Sequence, residues 1–345
     1  MKSTKSLTPF LHSKKLVFVI ALLAVVSVIP IINSGTFFLS VLTSIIIFAI
    51  YASSWNLLAY SGQGSLGHAV FLGIGGFASA LIAINLNVPP IIALFIGGAV
   101  SAGIGFLIGL TCVRLKAWFL AMVTFGFSVI AVSLFSQLDP IMHGINGFRT
   151  PILVSSGFDF YYLAVIFAAL SILVIFIIMK SRIGLAFKAI RENEAEARMI
   201  GVNTAKYKLL AFVISTFFAG LAGALYVYNP ALRFVDNSIF LPANSFTPLI
   251  MSVIGGLSTI EGPIIGAAIL ISIQTLLTLP AVTNFLQSSL GSVFPSVSNV
   301  GPPLTLLGIG VFLLVIVIFA PKGLTSIIHR IYYRFRANPK EKKKP

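Results

Sequence analysis

Between Lys15 and Arg114 the chain runs for 98 residues without an Asp, Glu, Lys or Arg, and between Glu261 and Lys322 it does so again for 60. A soluble domain is roughly a quarter charged, because charge is what covers a surface in water. Here charged residues make up 9% and hydrophobic residues 58% of the 345. The medium around most of the chain is therefore lipid. In hydrocarbon, about 30 Å thick, backbone N–H and C=O groups must be satisfied within the fold, and a helix rising about 1.5 Å per residue does so in about 20 residues. The first charge-free stretch has room for about four such helices and the second for two or three. The expected fold class is all-α: a polytopic integral membrane helical bundle.

Apolar runs predict spans at 16–33, 36–57, 66–86, 91–112, 117–137, 160–179, 209–228, 245–260, 263–280 and 302–320. Ten spans are the expectation and eight the alternative. The 245–260 and 263–280 pair is split by Glu261-Gly262-Pro263 and also reads as a re-entrant element. In a soluble protein the net charge of +15 would suggest nucleic acid. The basic residues here instead occupy short segments between or beyond apolar runs, the pattern of the positive-inside rule. With residues 1–15 in the cytoplasm, ten spans place four basic segments inside: that tail, Arg114 with Lys116, residues 180–208, and the tail from Lys322. They hold 4, 2, 7 and 8 of the 23 basic residues, leaving only Arg149 and Arg233 outside. An even number of spans follows, with N- and C-termini cytoplasmic. The expected division is a tail over 1–15, a transmembrane domain over 16–324, and a basic cytoplasmic tail over 325–345. Lys14 and Lys15 before an apolar run resemble a signal peptide, but no small-residue cleavage site follows, so 16–33 reads as an uncleaved first helix.

Small residues interrupt several spans, as in GIGGFASA (73–80), GGAVSAGIGFLIG (97–109) and AGLAGA (219–224). Such faces let helix backbones approach closely in lipid. They read either as interior packing or as surfaces along which helices rock. The single cysteine, Cys112, excludes an intrachain disulfide, and the four isolated His give no metal-ligand spacing.

Residues 180–208, KSRIGLAFKAIRENEAEARMIGVNTAKYK, are the longest polar stretch, and they carry helix punctuation. A first short helix is predicted over about 183–191. Asn193 can cap a second, with Glu196 three residues on completing a capping-box pattern. Glu194 and Glu196 in its first turn and Arg198 nearer its end match the helix dipole. Gly201 is a natural terminator, and Asn203 can cap the span that follows. A capped, partly amphipathic helix in this place either lies on the membrane or docks in a groove of a cytoplasmic partner. The charge-poor surroundings favour docking.

GQGSLG (62–67) fits G-x-G-x-x-G, but a dinucleotide site needs a preceding strand and an acidic residue about 20 positions on. The next acidic residue is Asp139. The segment reads instead as a polar, flexible lead-in to the third predicted span, with Gln63, Ser65 and His68 as candidate lining of a path or as helix–helix hydrogen bonders. No phosphate-binding G-x-x-x-x-G-K-[ST] occurs and no nucleophile–base arrangement stands out, so the chain reads as no enzyme and holds no cofactor or metal of its own. Glu261 is the one acidic residue in a potential membrane segment and reads as an interfacial turn residue. A self-sufficient secondary transporter or channel would need buried ionisable groups, which are scarce here.

Five stretches resemble a known family: SGQGSLGHAVFLGIGGF (61–77), RLKAWFLAMVTFGF (114–127), the long match over 181–226, GGLSTIEGPIIGA (255–267) and FAPKGL (319–324). They are similar to the M-type permease subunits of branched-chain amino-acid ABC importers. The resemblance implies a heterodimer with an H-type permease subunit, two cytoplasmic ATPases that use ATP, a periplasmic or extracellular substrate-binding protein, and the bacterial inner (plasma) membrane as location. It implies a coupling helix, a divergent EAA-like loop, around Arg191, Glu194, Ala195, Glu196 and Gly201. The family's T-G-G-x-x-G is MHGING here, retaining Gly144, Asn146 and Gly147 as further candidates for the path. An acidic residue often found after T-x-G-F is replaced by Ser128 and Val129. Permeases for urea and short amides are related, so the substrate class stays open between these and amino acids.

Overall fold

The computed structural model describes residues 35–137, 146–284 and 323–326, together with Pro30 and six positions between 307 and 318. Six helices among them are long and apolar enough to cross a membrane. These are α1 (Thr36–Tyr60), α2 (His68–Asn85), α3 (Pro90–Cys112), α4 (Ala117–Gln137), α5 (Gly157–Lys180) and α8 (Thr204–Tyr228). Between α5 and α8 lie two short polar helices, α6 (Arg182–Glu192) and α7 (Glu194–Met199). The fold is an all-α membrane protein. The predicted spans at 16–33 and 302–320 lie outside the described residues or only partly within them.

The centre is the trio α2, α3 and α8. Here the small-residue stretches meet. A side chain at Gly75 of α2 would run into the backbone of Gly220 in α8, and one at Gly97 of α3 would strike the carbonyl of Gly75. The Ser101 hydroxyl of α3 reaches the carbonyls of Phe71 and Thr216, at 3.0 and 2.9 Å, and so bridges all three helices. In lipid, where apolar burial drives little association, contacts of this kind hold helices together. α1 packs on α8, α5 and the last two helices, while α4 is the least buried of the six.

The last two helices are shorter than full spans, in keeping with the re-entrant alternative. α9 (Pro242–Gly255) has 14 residues and α10 (Gly262–Thr278) has 17. They rise about 21 and 26 Å, less than the hydrocarbon thickness of about 30 Å. They form a tight hairpin in which Gly266 abuts the Met251 carbonyl and Gly255 abuts Gly262. Its turn is held by one side chain of α1: Asn56 accepts from Ser258 N–H (2.7 Å) and donates to the Thr259 carbonyl (2.6 Å). The apolar runs at 245–260 and 263–280 are thus a packed pair of short helices. Glu261 ends the turn before α10, as expected, and is buried there, 3% exposed.

The segment 61–67 is unlike its expectation. Ser61 caps α1 through its hydroxyl to Leu58 O (2.7 Å), and Gly62, at φ +76°, turns the chain back. The connector then runs beside the last turns of α1. Trp55 Nε1 donates to Ser65 O (2.7 Å), and His68, the first residue of α2, reaches Ser54 at 3.0 Å. Ser54 stands six residues before the end of α1, or about 9 Å along its axis. α2 therefore begins inside the bundle, and 61–67 is a packed connector with little room to flex.

At the opposite end, Phe148–Arg149 pairs antiparallel with Phe234–Val235, with Arg149 opposite Phe234. A 3-10 turn, Asn237–Phe240, leads into α9 and buries Phe240 against Phe77 and Phe135.

Candidate functional site

The polar segment between α5 and α8 folds as its punctuation requires. Ser181 caps α6 by accepting from Ile183 N–H (3.1 Å). α6 turns Phe187 and Ile190 inward; burying each contributes about 2 kcal/mol. Leu185 points outward, 66% exposed. Asn193 is a one-residue joint in extended conformation. Its Oδ1 accepts from Ala195 and Glu196 N–H at 3.0 and 3.4 Å. The expected capping box closes differently: Glu196 accepts from the Asn193 side-chain amide (2.6 Å), because the Asn193 backbone N–H already ends α6 on Ala189 O.

α7 ends in a complete Schellman motif. Val202 N–H reaches Ala197 O (3.0 Å) and Gly201 N–H reaches Arg198 O (3.1 Å), with Gly201 at φ +88°. Asn203 then caps α8 by accepting from Lys206 N–H (3.1 Å). Of the six residues of α7 only Ala197 is buried. Ala195, Glu196 and Arg198 are exposed, and Met199 and Ile200 present 79% and 77% of their surface. The helix stands clear of the bundle.

Besides the packing of Phe187 on Tyr207 and the Arg198–Thr204 hydrogen bond (3.3 Å), two contacts tie this segment to the membrane part. The first is electrostatic. Glu194 pairs with Arg198 at 3.2 Å and with Lys208 of α8 at 2.5 Å. The exposed Arg198 pair is worth about 0.5 kcal/mol or less. Lys208 is different, its side chain being only 7% exposed, and a buried ammonium depends on its partner. Burial pushes the Glu194 carboxyl up. The hydrogen bond and charge of Lys208, the Thr204 hydroxyl and Arg198 outweigh it and hold the carboxyl below its ordinary range. The second contact is steric. Arg191 lies with its guanidinium 5.3 Å from the Tyr60 ring centre and its Cα against Gly62.

Gln63 joins the two contacts. Its Nε2 donates to Ser61 Oγ and to the Lys208 carbonyl, both at 2.9 Å. Ser65 and His68 are likewise buried in packing contacts. The Ser54 hydroxyl donates to Tyr51 O, so the His68 ring must donate through Nε2 to Ser54 Oγ, and the ring stacks on Tyr51. Asn146 and Gly147 lie at the other end beside Val235 and Asp236. Lys208 and Tyr228 mark the two ends on α8, about 30 Å apart. Gly144 lies outside the described residues. The structure thus brings Arg191, Glu194 and Gln63 together, and does not bring Asn146 or Gly147 to them. A cavity of about 240 Å³ at the far end, between Thr36, Thr43, Phe160 and Asn229, touches none of the expected residues.

Tyr60, Gly62 and Lys208 were not singled out from the sequence. The only signal for Lys208 was a lysine inside the first two turns of an apolar helix.

Residues 37–317 match the family model described as the permease component of branched-chain amino acid transport systems. The chain belongs to this family. The permease is 29% identical over 290 residues to the high-affinity branched-chain amino acid permease proteins LivM of Salmonella typhimurium and Escherichia coli, covering 75% of this chain and 67% of each relative. A shorter match, 32% over 81 residues, joins it to the guanosine ABC transporter permease protein NupQ of Bacillus subtilis, covering 24% of this chain and 25% of the relative. No solved structure matches the chain. The permease is an integral protein of the inner membrane and a transport subunit of an ABC system, whose ATPase and substrate-binding subunits are its partners.

Proposed function

We propose that the permease forms part of the membrane path of an importer for branched-chain or other small amino acids. It cycles between outward- and inward-facing states as two cytoplasmic ATPases bind and hydrolyse ATP. The chain itself holds no cofactor. Its membrane partner is a related H-type permease subunit, and a periplasmic or extracellular binding protein delivers the substrate. The observation that carries this reading is α7. It is capped at both ends, stands out from the bundle, and leaves Met199 and Ile200 exposed. Apolar side chains exposed on a short rigid helix suit a groove on another protein, and Arg191, Glu194, Ala195, Glu196 and Gly201 build or brace that helix. Gln63, Ser65 and His68 are the candidates for the cytoplasmic mouth of the path, and Asn146 and Gly147, with Gly144 outside the described residues, for the end that meets the binding protein.

The short match to a guanosine permease supports a second substrate class, nucleosides, and urea or a short amide is a third. The test is uptake into proteoliposomes holding this chain, its partner permease and the ATPases, with leucine, guanosine and urea offered on the purified binding protein. ATP-dependent leucine uptake is expected. Uptake by this chain alone, without an ATPase, overturns the reading in favour of a secondary transporter or channel.

A further inference from the structure

We propose that Lys208 is the positioning residue through which α7 moves the membrane part, acting with both ends of its residue at once. Its ammonium holds the Glu194 carboxylate at the start of α7. Its carbonyl holds the Gln63 amide in the connector that leads into α2. One residue of α8 therefore stands between the cytoplasmic helix and the non-helical connector that runs back beside α1.

Three observations converge on this residue. Lys208 is 6% exposed at the polar end of an apolar helix, where a lysine would ordinarily reach out to water. It turns instead towards Glu194, fourteen residues away in sequence, across the joint formed by Gly201 and Asn203. Ala197 is the one buried residue of α7, and the other polar hold of that helix on α8 is the Thr204 hydroxyl, which Arg198 reaches at 3.3 Å. Last, the Arg191 backbone against Gly62 supplies a second point of contact between the cytoplasmic helices and the connector. Two points fix the lever's direction, and of the two the ion pair, flanked by the Arg198–Thr204 hydrogen bond, is the one that joins α7 itself to the span. A push or pull on α7 thus reaches the first turns of α8 and the connector together. The side chain of Gln63 uses both amide hydrogens, on Ser61 and on Lys208, so the connector follows its anchor.

This inference rests on the transport reading above, and the experiment separates the two. The complete transporter is reconstituted in proteoliposomes, and substrate moved per ATP hydrolysed is measured for wild type, Lys208→Met and Lys208→Arg. ATP-independent uptake by the wild type overturns the transport reading before any variant is compared. With coupling established, Lys208→Met is expected to lower the ratio at least tenfold while the complex still elutes as one species with its ATPases. Lys208→Arg, which keeps the charge, is expected to restore at least half of it. A second readout follows the connector itself. Gly64 has no neighbour within 4 Å of where its Cβ would stand, and the natural Cys112 is buried. An environment-sensitive dye on Gly64→Cys should change its emission when a non-hydrolysable ATP analogue is added. The change should vanish in Lys208→Met and return in Lys208→Arg. An unchanged transport ratio in Lys208→Met, a nucleotide response of the dye that survives it, or a loss that Lys208→Arg shares overturns the proposal.

Discussion

Gly62 and Arg191 meet with no space for a side chain between them: a Cβ at Gly62 would lie 2.9 Å from the Arg191 Cα. The contact joins the connector after α1 to the end of α6, and the backbone of Gly62 is left-handed at φ +76°. Gly62→Ala carries both a steric and a conformational cost, of about 1–3 kcal/mol. Two residues on, Gly64 has open space around it. Gly64→Ala is expected to change thermal stability in detergent by less than about 0.5 kcal/mol. Equal losses for the two variants would contradict the geometry.

The end of α7 offers a graded test. Gly201 sits at φ +88° with no neighbour near its missing Cβ, so conformation alone sets the effect of substitution. Gly201→Ala should cost about 1 kcal/mol and Gly201→Asn less, since Asn tolerates the left-handed region. Asn193→Ala removes the cap at the other end and should cost about 1 kcal/mol. Hydrogen exchange of residues 194–202 is the measurement. Faster exchange confined to this segment is expected, and unaltered protection in Asn193→Ala would show that the cap is not what holds the helix.

Acid weakens the tie between Glu194 and Lys208 in a defined window. The native environment holds the Glu194 carboxyl below its ordinary value of 4.5, despite burial. A lowered native pKa stabilises the ionised form. The contribution is complete above the ordinary value and disappears as pH falls through the lowered one. The stability difference between wild type and Glu194→Gln should therefore be constant from about pH 8 down to about pH 5, and shrink below about pH 4. A difference that already closes between pH 7 and 6 would point to another group.

Glycines of the central trio should separate into two kinds. Gly75→Ala drives a methyl group into the backbone of Gly220 and is expected to cost about 1–3 kcal/mol. Gly103 and Gly126 have nothing within 4 Å, so Gly103→Ala and Gly126→Ala should be neutral or slightly stabilising, as expected for glycine inside a helix. Unfolding temperatures of the purified permease decide between these, and a large loss at Gly126 would show an unrecognised contact on α4.

What could be read from the sequence follows the range of the physics. Asn193, Gly201 and Asn203 act on amides two to five residues away, so α6, α7 and the start of α8 were placed to within a residue or two. The joint still closed differently from the expected capping box, because Asn193 serves two helices and its N–H was already engaged. Apolar content, by contrast, reports burial in anything dry. It cannot tell a helix in lipid from one packed on α1, and so the sequence left α9 and α10 open between two full spans and a re-entrant pair. Polar residues gave the weakest guidance. Gln63, Ser65 and His68 have the chemistry of a path, yet the structure uses their hydrogen bonds between neighbouring segments. Lys208 looked like one more positive charge at the cytoplasmic face, because its partner is near only after the chain has folded around Gly201.

The glycine contacts at the centre also decide how far a movement travels. Where backbone rests on backbone there are no rotamers to exchange and no soft side chains to absorb a displacement. α2, α3 and α8 have in this sense no slack between them. On the proposed coupling, a shift imposed at Lys208 is expected to carry along α8 to Tyr228, about 30 Å away. The paired strands at 148–149 and 234–235 would register the same stroke on the opposite side of the membrane.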